Sequence, residues 1–295
     1  MWWADCMIDG STYAPFVIPL AALFGLLVGS FLNVVIYRLP VIMQRDWTVF
    51  AKEHLGLELT EEEKQPFNLI KPDSRCPKCG QPVKPWQNIP VVSYLLLKGK
   101  CASCHTPIGL RYPAVEILTA VLFGLVAVCY GWSWITLGGL VFTAYLVALT
   151  FIDADTQYLP DQLTLPLIWL GLLANCGGNG LVGLKQAVLG AVFGYMVLWL
   201  LNAVHKAVRG MDGIGGGDFK LLAALGAWLG WQVLPVVVFA AALVGLAAAL
   251  ILRAAKSQPI AFGPSLAIAG WLVFIGYDKV VAGIHWWLEK SGFAI

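Results

Sequence analysis

Two aspartates stand where long apolar runs meet short polar ones: Asp153 in Phe-Ile-Asp-Ala-Asp-Thr-Gln-Tyr-Leu-Pro-Asp, and Asp218 directly after Gly215-Gly216-Gly217. A carboxylate beside a membrane span is expensive and marks a functional site by default. Two carboxylates converging on one peptide bond can perform aspartyl proteolysis. The ionised one activates water, the protonated one polarises the scissile carbonyl, and the two titrate as a pair. Glu116, Asp153, Asp155, Asp161, Asp212 and Asp218 all fall near the ends of apolar segments, and residue type alone does not choose among them. Asp218 could equally cap a helix after a flexible loop, and Asp161 could cap the helix that follows Pro160. Asp155 and Asp212 could be merely solvated. The three glycines permit close backbone approach, so an extended substrate could lie against that loop.

A second chemistry is written in cysteine. Cys76-Pro-Lys-Cys79 and Cys101-Ala-Ser-Cys104 are two C-x-x-C pairs at the separation of a four-thiolate zinc site. Each knuckle turns two sulfurs toward one point, and the ion supplies a core that so small a polar segment struggles to build. Four ligands close the coordination sphere, so the zinc is expected to be structural. Two disulfides or four free thiols are the alternatives, and a cytoplasmic location argues against disulfides. Cys6, Cys129 and Cys176 stand alone. His54, His105, His205 and His285 show no metal-ligand spacing and read as surface or interfacial residues.

The elements that must position these groups are mostly membrane helices. Of the 295 residues 59% are hydrophobic and only 12% charged, against about a quarter charged in soluble domains. Apolar runs long enough to cross a bilayer recur along the chain. The reading is an all-α polytopic membrane protein of about eight transmembrane helices, near 14–37, 113–131, 134–152, 163–176, 183–204, 219–231, 233–252 and 263–283. A small cytoplasmic four-Cys insertion interrupts them. The first span follows Asp5 and Asp9 with no basic residue before it, unlike a secretory signal, so it is read as retained with its N-terminus outside. Of the 19 Lys and Arg residues, all but Lys185, Lys279 and Lys290 then fall at the inner face, as the positive-inside rule expects. Asp153 and Asp218 share that face. The domains expected are an N-terminal helix over 1–39, a zinc-binding domain over 40–112, and a membrane core over 113–295. A net charge of +2 gives no reason to expect nucleic acid; membrane lipid is the surrounding partner. Gly25 with Gly29, and Gly190 with Gly194, suit close helix packing in lipid.

Gly215-Gly216-Gly217-Asp218 fits the Gly-x-Gly-Asp signature of membrane aspartyl proteases, and a wider set of motifs resembles the type IV prepilin peptidases. That set comprises Gly29-Ser-Phe-Leu-Asn-Val-Val-Ile-Tyr-Arg-Leu-Pro40, both Cys pairs, Ile89-Pro-Val-Val-Ser-Tyr94, Arg111-Tyr-Pro-Ala-Val-Glu116, Ile152-Asp153, Leu159-Pro-Asp161, Gly215 to Lys220 and Phe262-Gly-Pro264. The resemblance covers about residues 25–265. It implies a bifunctional enzyme of the bacterial cytoplasmic (inner) membrane with its active site facing the cytoplasm. Such an enzyme removes the basic leader of type IV prepilins or type II secretion pseudopilins after a glycine. It then methylates the new amino terminus with S-adenosylmethionine. Carried over by motif, Asp153 and Asp218 are the catalytic pair, and Cys76, Cys79, Cys101 and Cys104 hold the zinc. No glycine-rich cradle for S-adenosylmethionine is visible in the sequence, and by likeness its site is expected at the Cys-bearing domain and its junction with the membrane. A peptidase without methylation, a proton-coupled transporter using the same carboxylates, and a non-enzymatic assembly platform are the rival readings.

Overall fold

The computed structural model describes residues 14–253 and 261–292, so Asp5, Cys6 and Asp9 lie outside the described residues. The described residues are helices joined by turns, and beyond two isolated bridges they contain no β-structure. Two compact units divide the chain, one over 10–128 and one built essentially from 129–295.

In the first unit, α1 (Ala14–His54) is a single helix that carries Pro19 and Pro40 inside it. Its 41 residues give a length of about 60 Å, roughly twice the hydrocarbon thickness, so part of it must project beyond the lipid. The projecting end carries the segment that follows. Lys52 pairs with Glu63 at 2.6 Å, Arg45 donates to the Glu62 carbonyl, and the Arg38 and Arg45 guanidiniums lie over the Phe67 ring. Glu63 belongs to α2 (Glu61–Lys64), which opens with a Thr60–Glu63 capping box. Next come a 3-10 turn at Pro85–Asn88 and the short α3 (Val92–Leu96). The unit then enters α4 (Arg111–Tyr130). Gly25 and Gly29 let α1 lie directly on α4: a Cβ at either would come within 2.7 Å of the Ala120 or Glu116 Cα.

The second unit is organised around α8 (Gly216–Leu229), whose residues from Leu221 to Leu229 are all buried. Against it pack α6 (Asp161–Cys176), α7 (Leu184–Arg209) and α10 (Gly263–Ile275). Backbone meets backbone at Gly190, where a Cβ would sit 2.1 Å from the Gly226 carbonyl oxygen, and at Gly194, 2.5 Å from that of Leu222. Small residues thus bring α7 onto α8, as lipid-embedded packing requires. Helix α6 buries Thr164, Leu167, Gly171 and Asn175, a helical spacing of three and four. It is pinned to α8 by polar bonds: Trp228 Nε1 donates to the Leu167 carbonyl at 2.9 Å, and Asn175 Nδ2 to that of Ala227 at 2.9 Å. Helix α5 (Trp134–Thr156) docks on α10, where Trp271 Nε1 donates to the Thr143 hydroxyl at 3.0 Å. The unit also contains α9 (Leu234–Arg253) and α11 (Tyr277–Ser291).

Eight spans are not confirmed. Among the described residues, helices α1, α4, α5, α7 and α9 are long and apolar enough to cross, giving five candidates, or six if α10 and α11 count as one. Helices α6, α8 and α10 have 16, 14 and 13 residues, short of the 17 or so a crossing needs. The expected last span bends by 87° at Gly276. Hydropathy cannot separate a short helix packed within a bundle from a full crossing, because both read as apolar runs. Cys129 is disulfide-bonded, correcting its reading as a lone thiol, whereas Cys176 is free.

Candidate carboxylate site and four-cysteine centre

Asp153 lies in the last turn of α5, which stops at Gln157 in the left-handed conformation, its N–H donating to the Asp153 carbonyl at 2.8 Å. The Asp153 side chain is only 5% exposed. The Gly263 N–H, at the start of α10, donates to its carboxylate. Contact there is so close that a Cβ on Gly263 would fall 2.4 Å from Asp153 Oδ2. Asp218 is the third residue of α8 and does not act as its cap; Gly215 occupies that position. The Asp153 carboxylate is near enough for its charge to act on Asp218.

Leu159 organises the space between them. A Cβ on Gly217 would meet Leu159 Cβ at 2.7 Å, and one on Gly263 would meet Leu159 Cδ1 at 3.2 Å. This buried leucine therefore spaces the glycine turn before Asp218 from the glycine that holds Asp153. Leu159 and Gly263 stand within the motifs of the sequence, but nothing in their residue types assigns either a task. Their signal was the absence of a side chain at Gly263 and an apolar residue between two polar ones, and neither identifies a contact across the fold.

The other acids are distributed differently. Asp161 makes a two-oxygen ion pair with Lys220, at 2.6 and 2.8 Å, tying the start of α6 to the first turn of α8. Asp212 is held by Lys206 at 3.0 Å and by Asn202 at 3.0 Å, and the Lys206 partner pulls its carboxyl below the usual range. Asp155 is exposed at the end of α5. Glu116 belongs to the first unit, where it accepts the Val91 N–H at 2.7 Å.

The four cysteines meet. Their Sγ atoms all lie within 4.8 Å of one another, and Cys76 and Cys104 are 3.7 Å apart. Tetrahedral zinc with bonds near 2.3 Å wants sulfurs roughly 3.8 Å apart, so the set fits the ion. None of the four is in a disulfide. The two knuckles repeat one design at an offset of 25 residues. Cys76 N–H bonds to the Gln81 carbonyl and Gly80 N–H to that of Cys76; Cys101 bonds to Thr106 and His105 to Cys101 in the same way. Gly80 and His105 both take positive φ, at 70° and 55°, and the bridges Arg75–Pro82 and Lys100–Pro107 close each turn. Cys104 Sγ is also hydrogen-bonded to the Thr106 hydroxyl at 3.1 Å.

Fold and site together define a multi-pass helical membrane protein with a buried carboxylate, Asp153, and a half-buried one, Asp218, at helix ends, and a four-thiolate centre. Residues 23–130 match the bacterial peptidase A24 N-terminal domain, and residues 140–250 match the type IV leader peptidase family. The chain is 64% identical over 282 residues to the prepilin leader peptidase/N-methyltransferase of Neisseria gonorrhoeae, covering 96% of this chain and 98% of that protein. It is 51% identical to the protein of that name from Pseudomonas aeruginosa, covering 92% and 93%, and 48% identical to that of Aeromonas hydrophila, covering 92% and 93%. No solved structure matches. The chain belongs to the type IV leader peptidase family.

Proposed function

We propose that this protein cleaves the leader from type IV prepilins or related pseudopilins and then methylates the exposed amino terminus. Leader cleavage falls to the unit over 129–295 and methyl transfer to the unit over 10–128. The observation that supports the peptidase reading is that Leu159 packs against both the glycine turn before Asp218 and Gly263, whose N–H holds Asp153. One aspartate in its ionised form takes a proton from water as the oxygen attacks the scissile carbonyl carbon. The protonated partner donates to the carbonyl oxygen; as the C–N bond breaks, the departing amine takes the proton that the first aspartate drew from water, and the partner regains its own from the collapsing diol. Mutual repulsion of the two charges favours the singly protonated pair this needs. Gly263 keeps Asp153 in place through its N–H, and Leu159 keeps the two glycine-bearing turns apart.

S-adenosylmethionine would supply a methyl group, as a sulfonium, to the exposed amine. Cys76, Cys79, Cys101 and Cys104 would hold one structural zinc, which fixes the two knuckles to each other and supplies no substrate chemistry. On this reading the carboxylate pair works at the cytoplasmic face of the inner membrane, where a basic leader would stay in the aqueous phase and the apolar pilin segment would enter lipid.

The test is the intact mass of a prepilin incubated with purified protein and S-adenosylmethionine. Loss of the leader with gain of one methyl is expected. Asp153→Asn and Asp218→Asn should each abolish leader loss, and processing at the wild-type rate by either variant sinks the dyad.

A further inference from the structure

Residues 85–97 run Pro-Trp-Gln-Asn-Ile-Pro-Val-Val-Ser-Tyr-Leu-Leu-Leu, thirteen uncharged positions between Lys84 and Lys98. A stretch of this length is too short to cross a bilayer and suits a buried, interfacial or re-entrant segment. Here it divides into two faces. Gln87, Asn88, Ser93, Tyr94 and Leu97 line a cavity of about 390 Å³ inside the first unit, on whose wall Glu116 also lies. Trp86, Ile89, Val92, Leu95 and Leu96 do not line it and are exposed, the last two at 68% and 71%.

Hydrogen bonds fix how deep this segment lies. The Ser30 hydroxyl donates to the Asn88 carbonyl at 3.4 Å, and the Val91 N–H donates to the Glu116 carboxylate at 2.7 Å. Ser30 is eight residues before Arg38, the first charge on α1, and Glu116 is five residues after Arg111 at the start of α4. Those helical stretches rise about 12 Å and about 8 Å. The segment therefore reaches past both arginines to the apolar turns of α1 and α4, where Phe31 and Ile117 are exposed as well. Irregular backbone is tolerated at such a depth only when protein satisfies its polar groups. The carbonyls of Trp86, Ile89, Val91 and Ser93 accept the N–H groups of Ile89, Ser93, Leu95 and Leu97. Pro90 has no N–H to satisfy. Val91, which gives its own to Glu116, is β-branched yet has φ of 57°, a conformation its surroundings must impose.

We infer that residues 85–97 are a re-entrant segment that dips from the cytoplasmic side into the inner leaflet, with Trp86, Ile89, Val92, Leu95 and Leu96 in the hydrocarbon. Lys84 and Lys98, exposed at its two ends, stay at the headgroups, where ammonium groups snorkel and anionic lipid attracts them. The insertion expected over 40–112 is then not wholly cytoplasmic. The segment also carries the second cysteine knuckle. Gly99 N–H donates to the Tyr94 carbonyl at 2.9 Å, and Ile108 N–H to that of Gly99 at 2.7 Å. Lipid thus holds the four-thiolate centre against the membrane surface. The inference stands apart from the reactions proposed above and needs neither of them.

The experiment reconstitutes the full chain in vesicles of phosphatidylethanolamine and phosphatidylglycerol whose acyl chains carry a photoreactive diazirine, and maps the label by peptide mass analysis. Label on 85–97 should come within about twofold of that on 111–130 and exceed that on 56–72 about tenfold, because the reagent is confined to hydrocarbon about 30 Å thick. Equal label on 85–97 and 56–72 overturns the inference. A benzophenone amino acid placed at Leu96 then identifies the neighbour directly. Adducts with phospholipid are expected there, and none from the same group at Leu57, which is exposed three residues beyond α1. Adducts at Leu96 with a second copy of the chain, with residues 129–292 or with added prepilin overturn the lipid assignment. If the substituted chain does not fold, the labelling of wild type decides alone.

Discussion

Replacing Gly263 by alanine tests the carboxylate site at one atom. Gly263 is the first residue of α10 and has no positive φ, so its backbone accepts alanine without strain. The cost is steric. The added Cβ would lie 2.4 Å from Asp153 Oδ2, whereas ordinary contact begins at 3.4 Å. The 1.0 Å shortfall must be met by moving the Asp153 carboxylate or the α10 terminus. Leu159 Cδ1, at 3.2 Å from the same Cβ, blocks one way out. Either movement lengthens the Gly263 N–H bond to Asp153. A misplacement of about 1 Å in a catalytic group costs about 100-fold in rate, and overpacking of this kind about 1–3 kcal/mol in stability. Gly263→Ala should therefore lower kcat for leader cleavage about 100-fold with KM little changed, since an interaction used in the transition state is lost rather than uniform binding. Methylation of a pre-cleaved mature pilin serves as the control and should proceed at the wild-type rate. A folded Gly263→Ala enzyme with wild-type kcat would refute the reasoning, because it would mean that Asp153 tolerates displacement.

Zinc analysis of the purified chain should return one ion per molecule. Chelation should remove hydrogen-exchange protection across residues 74–108, since knuckles of this kind depend on metal for their fold; protection that survives complete metal loss contradicts a structural zinc. Trp228→Phe deletes the indole bond to the Leu167 carbonyl while keeping most of the ring, and should lower unfolding free energy by about 1–2 kcal/mol in detergent. A loss below the error of the measurement would mean that the bond adds nothing to the α6–α8 contact. Glu63 is held down to about 2, first by Lys52 and then by the Thr60 N–H. Its folded value is depressed, so its contribution is complete above the unfolded value of about 4.5 and disappears as pH falls through 2. Carboxyl carbon NMR should follow that titration, and Lys52→Met should move it upward. An unmoved midpoint would remove Lys52 as the cause.

Much of the architecture was legible because it rests on local chemistry. Spacing alone marked Cys76, Cys79, Cys101 and Cys104 as one group, since a C-x-x-C turn brings its own two sulfurs together. Close approach at Gly25, Gly29, Gly190 and Gly194 could be anticipated because glycine is what close helix contact in lipid requires. The span count was not legible. Helices α6, α8 and α10 are as apolar as the crossing helices, and only their length in three dimensions and the bend at Gly276 distinguish them. The repeated hydrogen-bond pattern of the two knuckles was hidden too, because Gly80 and His105 share a backbone conformation but no side-chain chemistry.

The sequence by itself determined that this is a helical membrane protein, with a thiolate group in its polar segment and acids at the ends of its apolar runs. These properties follow from composition and from spacings within one turn or one helix. Tertiary structure decided which acids meet. It set Asp161 against Lys220 and Asp212 against Lys206, placed Glu116 on a cavity wall, and brought Asp153 within electrostatic reach of Asp218. Charge interactions fall with distance through space, and residues 65 positions apart along a chain have no distance until the chain has folded.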